Sequence, residues 1–289
     1  MPIDLSSSRA LRIADAAEGR GNVGGPSRRE RGKMEFVSIS QDDEIATILL
    51  TRSEKLNALT PKMISEIGEA IEAVEASDDV RAVVLAGSGR AFCVGADVNI
   101  WGSLTPEEVR KSWILHGHRV FQRIETSRLP IVAAIQGMAF GGGLELALAA
   151  DIRVIERDAK VALPEVSIGT VPGWGGTQRL SRLIGLPRAK LMALTGRRID
   201  AATALSWGLA TDIAEPGNVL ARAMEVAGEI ARMAPVSTQI AKSILNGGLG
   251  IGSDATFELL AGMAAAGTDD AREGIRALRE KRAPHFAGR

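Results

Sequence analysis

Apolar residues in this chain change their spacing several times, and each change marks an element. FVSIS (36–40) and EIATILLTR (44–52) are β-rich stretches on either side of a QDD turn, which predicts a hairpin. Ile64, Ile67, Ile71 and Val74 then recur at helical spacing behind Thr60-Pro61, an N-cap followed by proline at the first helical position. VRAVVLAG (80–87) and IVAAI (131–135) read as buried strands. Thr105-Pro106-Glu107-Glu108 opens a helix predicted to run to about Glu125. LELALAA (144–150) is helical and DIRVIE (151–156) is a strand. Strands alternating with helices predict an α/β core with parallel pairing.

After Trp174 the pattern is mainly helical. Asp200 caps a short helix, residues 209–213 add a strand, and Asn218 caps a helix that ends near Met233, before Pro235. Residues 236–246, 253–266 and 269–280 read as three further helices, the last behind Thr268-Asp269. Residues 34–233 therefore form the expected core. Residues 234–289 form a helical region that packs on the core or on a neighbouring subunit. The first 33 residues are rich in Ser, Gly and Arg without sustained periodicity and read as a mostly disordered extension. Asp4, Asp15, Glu18 and Glu30 make it more acidic than a transit peptide, and it has no apolar stretch of the secretory kind.

Composition narrows the function classes. Lys+Arg and Asp+Glu are equal at 35 each, and no basic run suggests nucleic acid or a membrane surface as partner. No apolar run approaches the roughly 18 residues of a membrane span. The single cysteine, Cys93, excludes a disulfide framework and suits a reducing, cytoplasmic setting.

Three segments carry chemistry. In QGMAFGGGLELALAAD (136–151) three glycines run into a helix, whose first N–H groups have no internal partner and carry the positive end of the dipole. Such donors stabilise an oxyanion. Glu145, three residues after Gly142, falls over the same turn among apolar neighbours. A helix-terminal Glu that only complements the dipole is the competing reading, with about equal weight. GRAFCVGAD (89–97) follows a buried strand, where α/β folds bind ligands, and could supply a second backbone donor. In ALPEVSIGTVPGWGGTQRL (162–180), Glu165 sits in a short loop and the glycines open the next helix. Alone, that Glu reads as a surface carboxylate.

Together with RSEKLNAL (52–59) and EGIRALREKRAPHF (273–286), these segments stand in an order and spacing that resembles the crotonase family, the enoyl-CoA hydratase/isomerase superfamily, over residues 35–289. The resemblance implies a ββα-spiral core with a C-terminal helical trimerisation region, forming homotrimers or paired hexamers. It implies an acyl-CoA thioester substrate, an oxyanion hole from the N–H groups of Ala96 and Gly142, and acid–base work by Glu145 and Glu165. Coenzyme A would lie along Lys55, Leu56 and Ala58, with Asp97 and Val98 near the pantetheine and Lys281 reaching it from the tail. Keeping both glutamates favours a 2-enoyl-CoA hydratase, a lyase of the fatty-acid β-oxidation type. No metal or redox cofactor is required, coenzyme A being part of the substrate. The nearest rivals are an enoyl-CoA isomerase and a carnitinyl-type dehydratase; a non-catalytic or RNA-binding relative ranks last. The chain departs from the family at Ala266 and Leu278, where relatives often carry Phe, and at Trp174, which replaces a small residue. Trp101 and Trp113 fall in the segment that shapes the acyl pocket in relatives. Cys93 reads as a core residue, His116 and His118 as a poor metal pair, His285 as solvated and Asp151 as structural.

Overall fold

The apolar strands lie where their pattern requires. The computed structural model describes residues 29–247 and 253–289, and the expected extension up to residue 28 lies outside them. Among the described residues one sheet has seven strands in the order β1 (Arg29–Lys33), β2 (Val37–Asp42), β3 (Ile45–Leu50), β4 (Ala82–Gly87), β5 (Ile131–Ile135), β7 (Ile152–Glu156), β10 (Asp212–Ala214). β2 and β3 form the predicted antiparallel hairpin, and β3, β4, β5, β7 and β10 pair in parallel. A second sheet joins β6 (Met138–Phe140), β8 (Lys160–Ala162) and β9 (Ile199–Asp200).

Successive residues of the central strands face opposite layers. Val83 and Leu85 of β4 join Ile131, Ala133 and Ile135 of β5 in the main core, which also takes in α1 (Pro61–Glu75). Ala82, Val84 and Ala86 face the other way, with Val132 and Ala134, onto Ala223 and Ala227 of α9 (Val219–Ala231). A strand covered on both faces has no polar side, which is why these segments are apolar throughout. Fully burying a side chain such as Leu85 contributes about 1.5–3 kcal/mol.

Several boundaries differ from those expected. Residues 29–33, placed in the extension, form edge strand β1 against β2, with a bulge between Glu30 and Gly32. The helix expected from Thr105 to Glu125 is three pieces: α3 (Pro106–Glu108), a π-helix (Val109–Leu115) and α4 (His116–Thr126). Thr105 does form the capping box with Glu108. A short α2 (Val98–Trp101) follows the 89–97 loop, capped by Asp97. α5 is Gly142–Ala149 and α6 is Gly176–Ile184; α7 (Leu186–Thr195) and α8 (Ala201–Ser206) follow. Asp200 caps α8 through the Thr203 N–H at 2.8 Å. Asn218 makes no side-chain cap to α9, because its backbone has no extended N-cap geometry (φ −110°, ψ 1°). Pro235 begins α10 (Pro235–Gly247) rather than only ending α9, and α11 (Ser253–Ala266) and α12 (Asp269–Glu280) complete the tail.

Candidate active site

The site is built where three returning segments meet the first turn of α5. Gly141 adopts φ +53° and ψ −127°, and its N–H donates to the Ala162 carbonyl at 2.9 Å, fixing the helix start against β8. Segment 93–97 runs alongside: Phe140 N–H donates to the Cys93 carbonyl at 3.0 Å, and Leu59 N–H to the Gly95 carbonyl at 2.7 Å. Gly95 (φ +94°) is required there. A Cβ on it would stand 2.7 Å from the Phe140 carbonyl oxygen and 3.2 Å from the Gly142 nitrogen. This close approach brings the Ala96 and Gly142 amides to one place. Neither N–H donates to an acceptor among the described residues, and both residues line the same cavity. Two unpaired donors, one of them at the N-terminus of α5, form an anion site.

Two carboxylates enter this cavity in contrasting states. Glu145 is 2% exposed. Its Oε1 accepts hydrogen bonds from the N–H groups of Trp174 and Gly176, both at 2.8 Å. Burial raises its pKa above the ordinary carboxylate range, opposed by those amides and by the positive charge of Arg179. Glu165 opens a short 3-10 turn (Glu165–Ile168) behind Pro164. Both of its carboxylate oxygens are buried without a hydrogen-bond partner. Burial first, and then the charge of Glu145, push it up to about 7. A buried acid without donors, beside a second acid that has them, is the pairing that separates proton donor from proton acceptor.

The cavity measures about 270 Å³. Its remaining wall is largely apolar, with Trp101, Trp113, Ile114 and Trp174 prominent. A larger depression of about 600 Å³ lies at the other end of α5, over Arg153 and Lys242, and holds neither glutamate.

The match to known proteins follows this geometry. The model of the family described as enoyl-CoA hydratase/isomerase matches residues 40–289. The chain belongs to the enoyl-CoA hydratase/isomerase family. It is 36% identical over 253 residues to the short-chain-enoyl-CoA hydratase of Clostridium acetobutylicum, covering 86% of this chain and 97% of that protein. It is 34% identical over 256 residues to the crotonyl-CoA hydratase of Syntrophomonas wolfei, covering 87% and 98%. The solved enoyl-CoA hydratase of Bacillus anthracis superposes with a TM-score of 0.85 at 32% identity, over 88% of this chain and 100% of that one. The fold is the family's crotonase fold, mixed α/β with a C-terminal helical region.

The family member's expected residues divide into two groups. Ala96, Gly142, Glu145, Glu165 and Val98 all line the cavity. Lys55, Leu56 and Ala58 stand beside it: Leu56 accepts from the Val94 N–H at 3.2 Å, so the 55–59 and 93–97 segments lie side by side. Lys55 is exposed and Leu56 has φ +53°. Asp97 is already engaged, accepting from Arg52 Nη2 at 2.8 Å. Burial raises its pKa, but the Arg52 bond and charge outweigh that and hold the carboxyl below its ordinary value. Lys281 is exposed at the left-handed end of α12 and does not line the cavity. Cys93 is a core residue: it is fully buried, its Sγ donates to the Asn57 carbonyl at 3.1 Å, and burial pushes its thiol up to about 12. His116 is engaged with Ser65 Oγ at 2.9 Å.

Residues that sequence reading missed do the positioning. Arg179, 5% exposed, donates to the Trp174 carbonyl at 2.6 Å and to Glu125 at 2.7 and 2.9 Å, bracing the turn that grips Glu145. Asn57 Nδ2 gathers the carbonyls of Ser88, Ala91 and Phe92 and so shapes the loop leading to Ala96. Both motifs, GGTQR and KLNAL, were visible, but neither long-range partner has a local signature.

Proposed function

We propose that the protein is an enoyl-CoA hydratase that reversibly adds water to a trans-2-enoyl-CoA, giving a 3-hydroxyacyl-CoA. The observation that carries this reading is the pair of glutamates in unlike environments, Glu145 buried and Glu165 half-buried with its carboxylate oxygens enclosed, beside two free N–H donors. The names of the relatives support it. The thioester oxygen sits between the Ala96 and Gly142 amides, which polarise C3 for attack and hold the enolate that follows. One such donor typically contributes about 2.7–4 kcal/mol in the transition state.

Water lies between the carboxyl groups. Glu145, whose Oε1 accepts from two backbone amides, takes a proton as the water oxygen bonds to C3. The C2–C3 π electrons move to the thioester as an enolate. Glu165, held protonated by burial, delivers its proton to C2 as the enolate collapses. Glu145 then carries a proton and Glu165 a charge, and exchange with solvent restores the starting state. Positioned acid–base groups typically contribute about 10²–10⁴-fold.

The tail helices support a further part of the reading, a homotrimer or a hexamer of paired trimers. Leu259, Leu260 and Met263 of α11 stand 58–64% exposed, an apolar face that a second copy covers. Light scattering of the purified chain measures this state. Among the described residues no helix is long and apolar enough to cross a membrane, and we place the protein in the cytoplasm with an acyl-CoA thioester as its partner. Lys281 and the Lys55–Ala58 segment are the proposed CoA contacts.

The test is turnover of crotonyl-CoA, followed by loss of the conjugated thioester absorbance and identification of the product. Appearance of 3-hydroxybutyryl-CoA is the expected result. Conversion of a β,γ-enoyl thioester to its conjugated isomer without hydration would establish the isomerase instead.

A further inference from the structure

The acyl end of the cavity is closed by a rigid aromatic wall. Trp174 is 2% exposed and Trp113 4%, whereas Val98, Ile168 and Val171, which line the same cavity, stand 57–69% exposed. The exposed part is therefore a mouth and the buried part a floor.

The floor is fixed from several directions. The indole Nε1 of Trp174 donates to the Trp113 carbonyl at 3.1 Å. Its ring centroid lies 5.1 Å from that of Trp113 and 5.1 Å from that of Phe121. Two glycines make room for it. A Cβ on Gly117 would come within 2.4 Å of Nε1, and a Cβ on Gly142 within 2.3 Å of Cζ3. The indole thus fits against α4 on one side and the oxyanion turn on the other. The π-helix Val109–Leu115 contributes the rest. Its i→i+5 winding puts Val109, Trp113 and Ile114 on one face, and all three line the cavity. Such π-turns occur often at functional sites. At about 270 Å³ the cavity is smaller than the roughly 300–1,000 Å³ that holds a drug-sized ligand.

We propose that Trp174, braced by the π-turn, is the gauge of acyl length, restricting the site to short 2-enoyl thioesters. This rests on the acyl-thioester reading above. A longer chain has to displace an indole packed on every side. Because the same ring rests on Gly142, chain length and oxyanion geometry are linked: widening the floor also loosens one donor. Each methylene that the floor rejects costs about 10-fold or more.

The experiment uses the full-length protein and two readouts. Binding of saturated butyryl-, hexanoyl-, octanoyl- and decanoyl-CoA is measured by calorimetry for the wild type, Trp174→Phe and Trp174→Ala. In parallel, kcat/KM is measured for the matching 2-enoyl thioesters. The wild type is expected to bind butyryl-CoA at least tenfold tighter than octanoyl-CoA. Trp174→Ala is expected to narrow or invert that ratio while lowering kcat on crotonyl-CoA, with Trp174→Phe intermediate. If the alanine variant does not fold, the phenylalanine variant carries the comparison. Equal binding of all four esters by the wild type overturns the proposal, since the chain then leaves through the mouth past Ile168 and Val171. A folded variant with an unchanged ratio overturns it as well. Length-selective binding without hydration would sink the hydratase reading alone, and binding of no thioester would sink both.

Discussion

The two ends of α5, a helix about 12 Å long, are built on opposite rules. At its C-terminal end the polar groups are satisfied. Arg153, 3% exposed, donates to the carbonyl of Ala150, the C-cap of α5, and to those of Asp151 and Leu209, placing a cation at the helix's C-terminal end. Burial pulls that guanidinium down to about 10, so it stays charged at neutral pH. Asp151 accepts from the Ile131 N–H and from Lys242 Nζ, both at 2.7 Å, and Lys242 also donates to the Leu129 carbonyl at 2.8 Å. At the N-terminal end the groups are left open: two amides without acceptors and a carboxyl without donors. The first arrangement ties α10 to the core. The second costs stability, and in the proposed mechanism substrate and water supply the missing partners.

Removing one partner at the closed end should give the largest effect. Asp151→Ala leaves the Lys242 ammonium buried and uncompensated, and the expected loss is about 3–5 kcal/mol of folding stability. The folded protein should keep its KM, because the open end is untouched. Urea unfolding with parallel kinetics checks both, and unchanged stability would mean that the pair is no lock. At the open end, Gly142→Ala puts a methyl 2.3 Å from the Trp174 ring. Displacing the amide should lower kcat by about 10²–10³-fold, with a smaller overpacking penalty of about 1–3 kcal/mol. Full kcat in a folded Gly142→Ala variant would remove the amide from the oxyanion role.

The pH profile sharpens the contrast further. With Glu165 as the proposed acid, kcat/KM for hydration should fall as pH rises through about 7. The charge of Glu145 opposes ionisation of Glu165, so Glu145→Gln should move the Glu165 titration to lower pH, which carbon NMR of labelled glutamate reads directly. The smallest effect concerns stability. The folded state raises Glu165 from its ordinary 4.5 to about 7, so folding holds a proton that the unfolded chain has lost. That contribution is fully present below about 4.5 and is lost as pH rises through 7. Glu165→Gln cannot ionise, so at pH 8 it should be about 1–2 kcal/mol more stable than wild type, after allowance for solvent screening. The difference should vanish near pH 4. A less stable variant at pH 8 would contradict an unpaired buried charge.

Elements with a strong period were legible in the sequence. The central strands, α1 and its Thr60 cap, and α9 follow from side chains that one layer or another buries. Glu145 had a local signature, glycines before a helix and an acid among apolar neighbours; Glu165 had none and was reached only through the family resemblance. What escaped was set by distant partners. β6, β8 and β9 run two or three residues each and exist only by pairing with one another, too short to show a period. β1 reads as polar because it is an exposed edge whose hydrogen bonds go to β2. The π-turn keeps a helical pattern of side chains, so its extra residue per turn is silent in sequence. Arg179 looked like one more basic residue of a helix until Glu125 and the Trp174 carbonyl appeared beside it.

The most direct test of the open end is kcat/KM for hydration of crotonyl-CoA by the wild type, Glu145→Gln, Glu165→Gln and the double variant. Each single change should cost about 10² or more, and the double should be little worse than either single, because the proposed mechanism has both groups act on one water. A folded single variant with wild-type turnover would contradict the account.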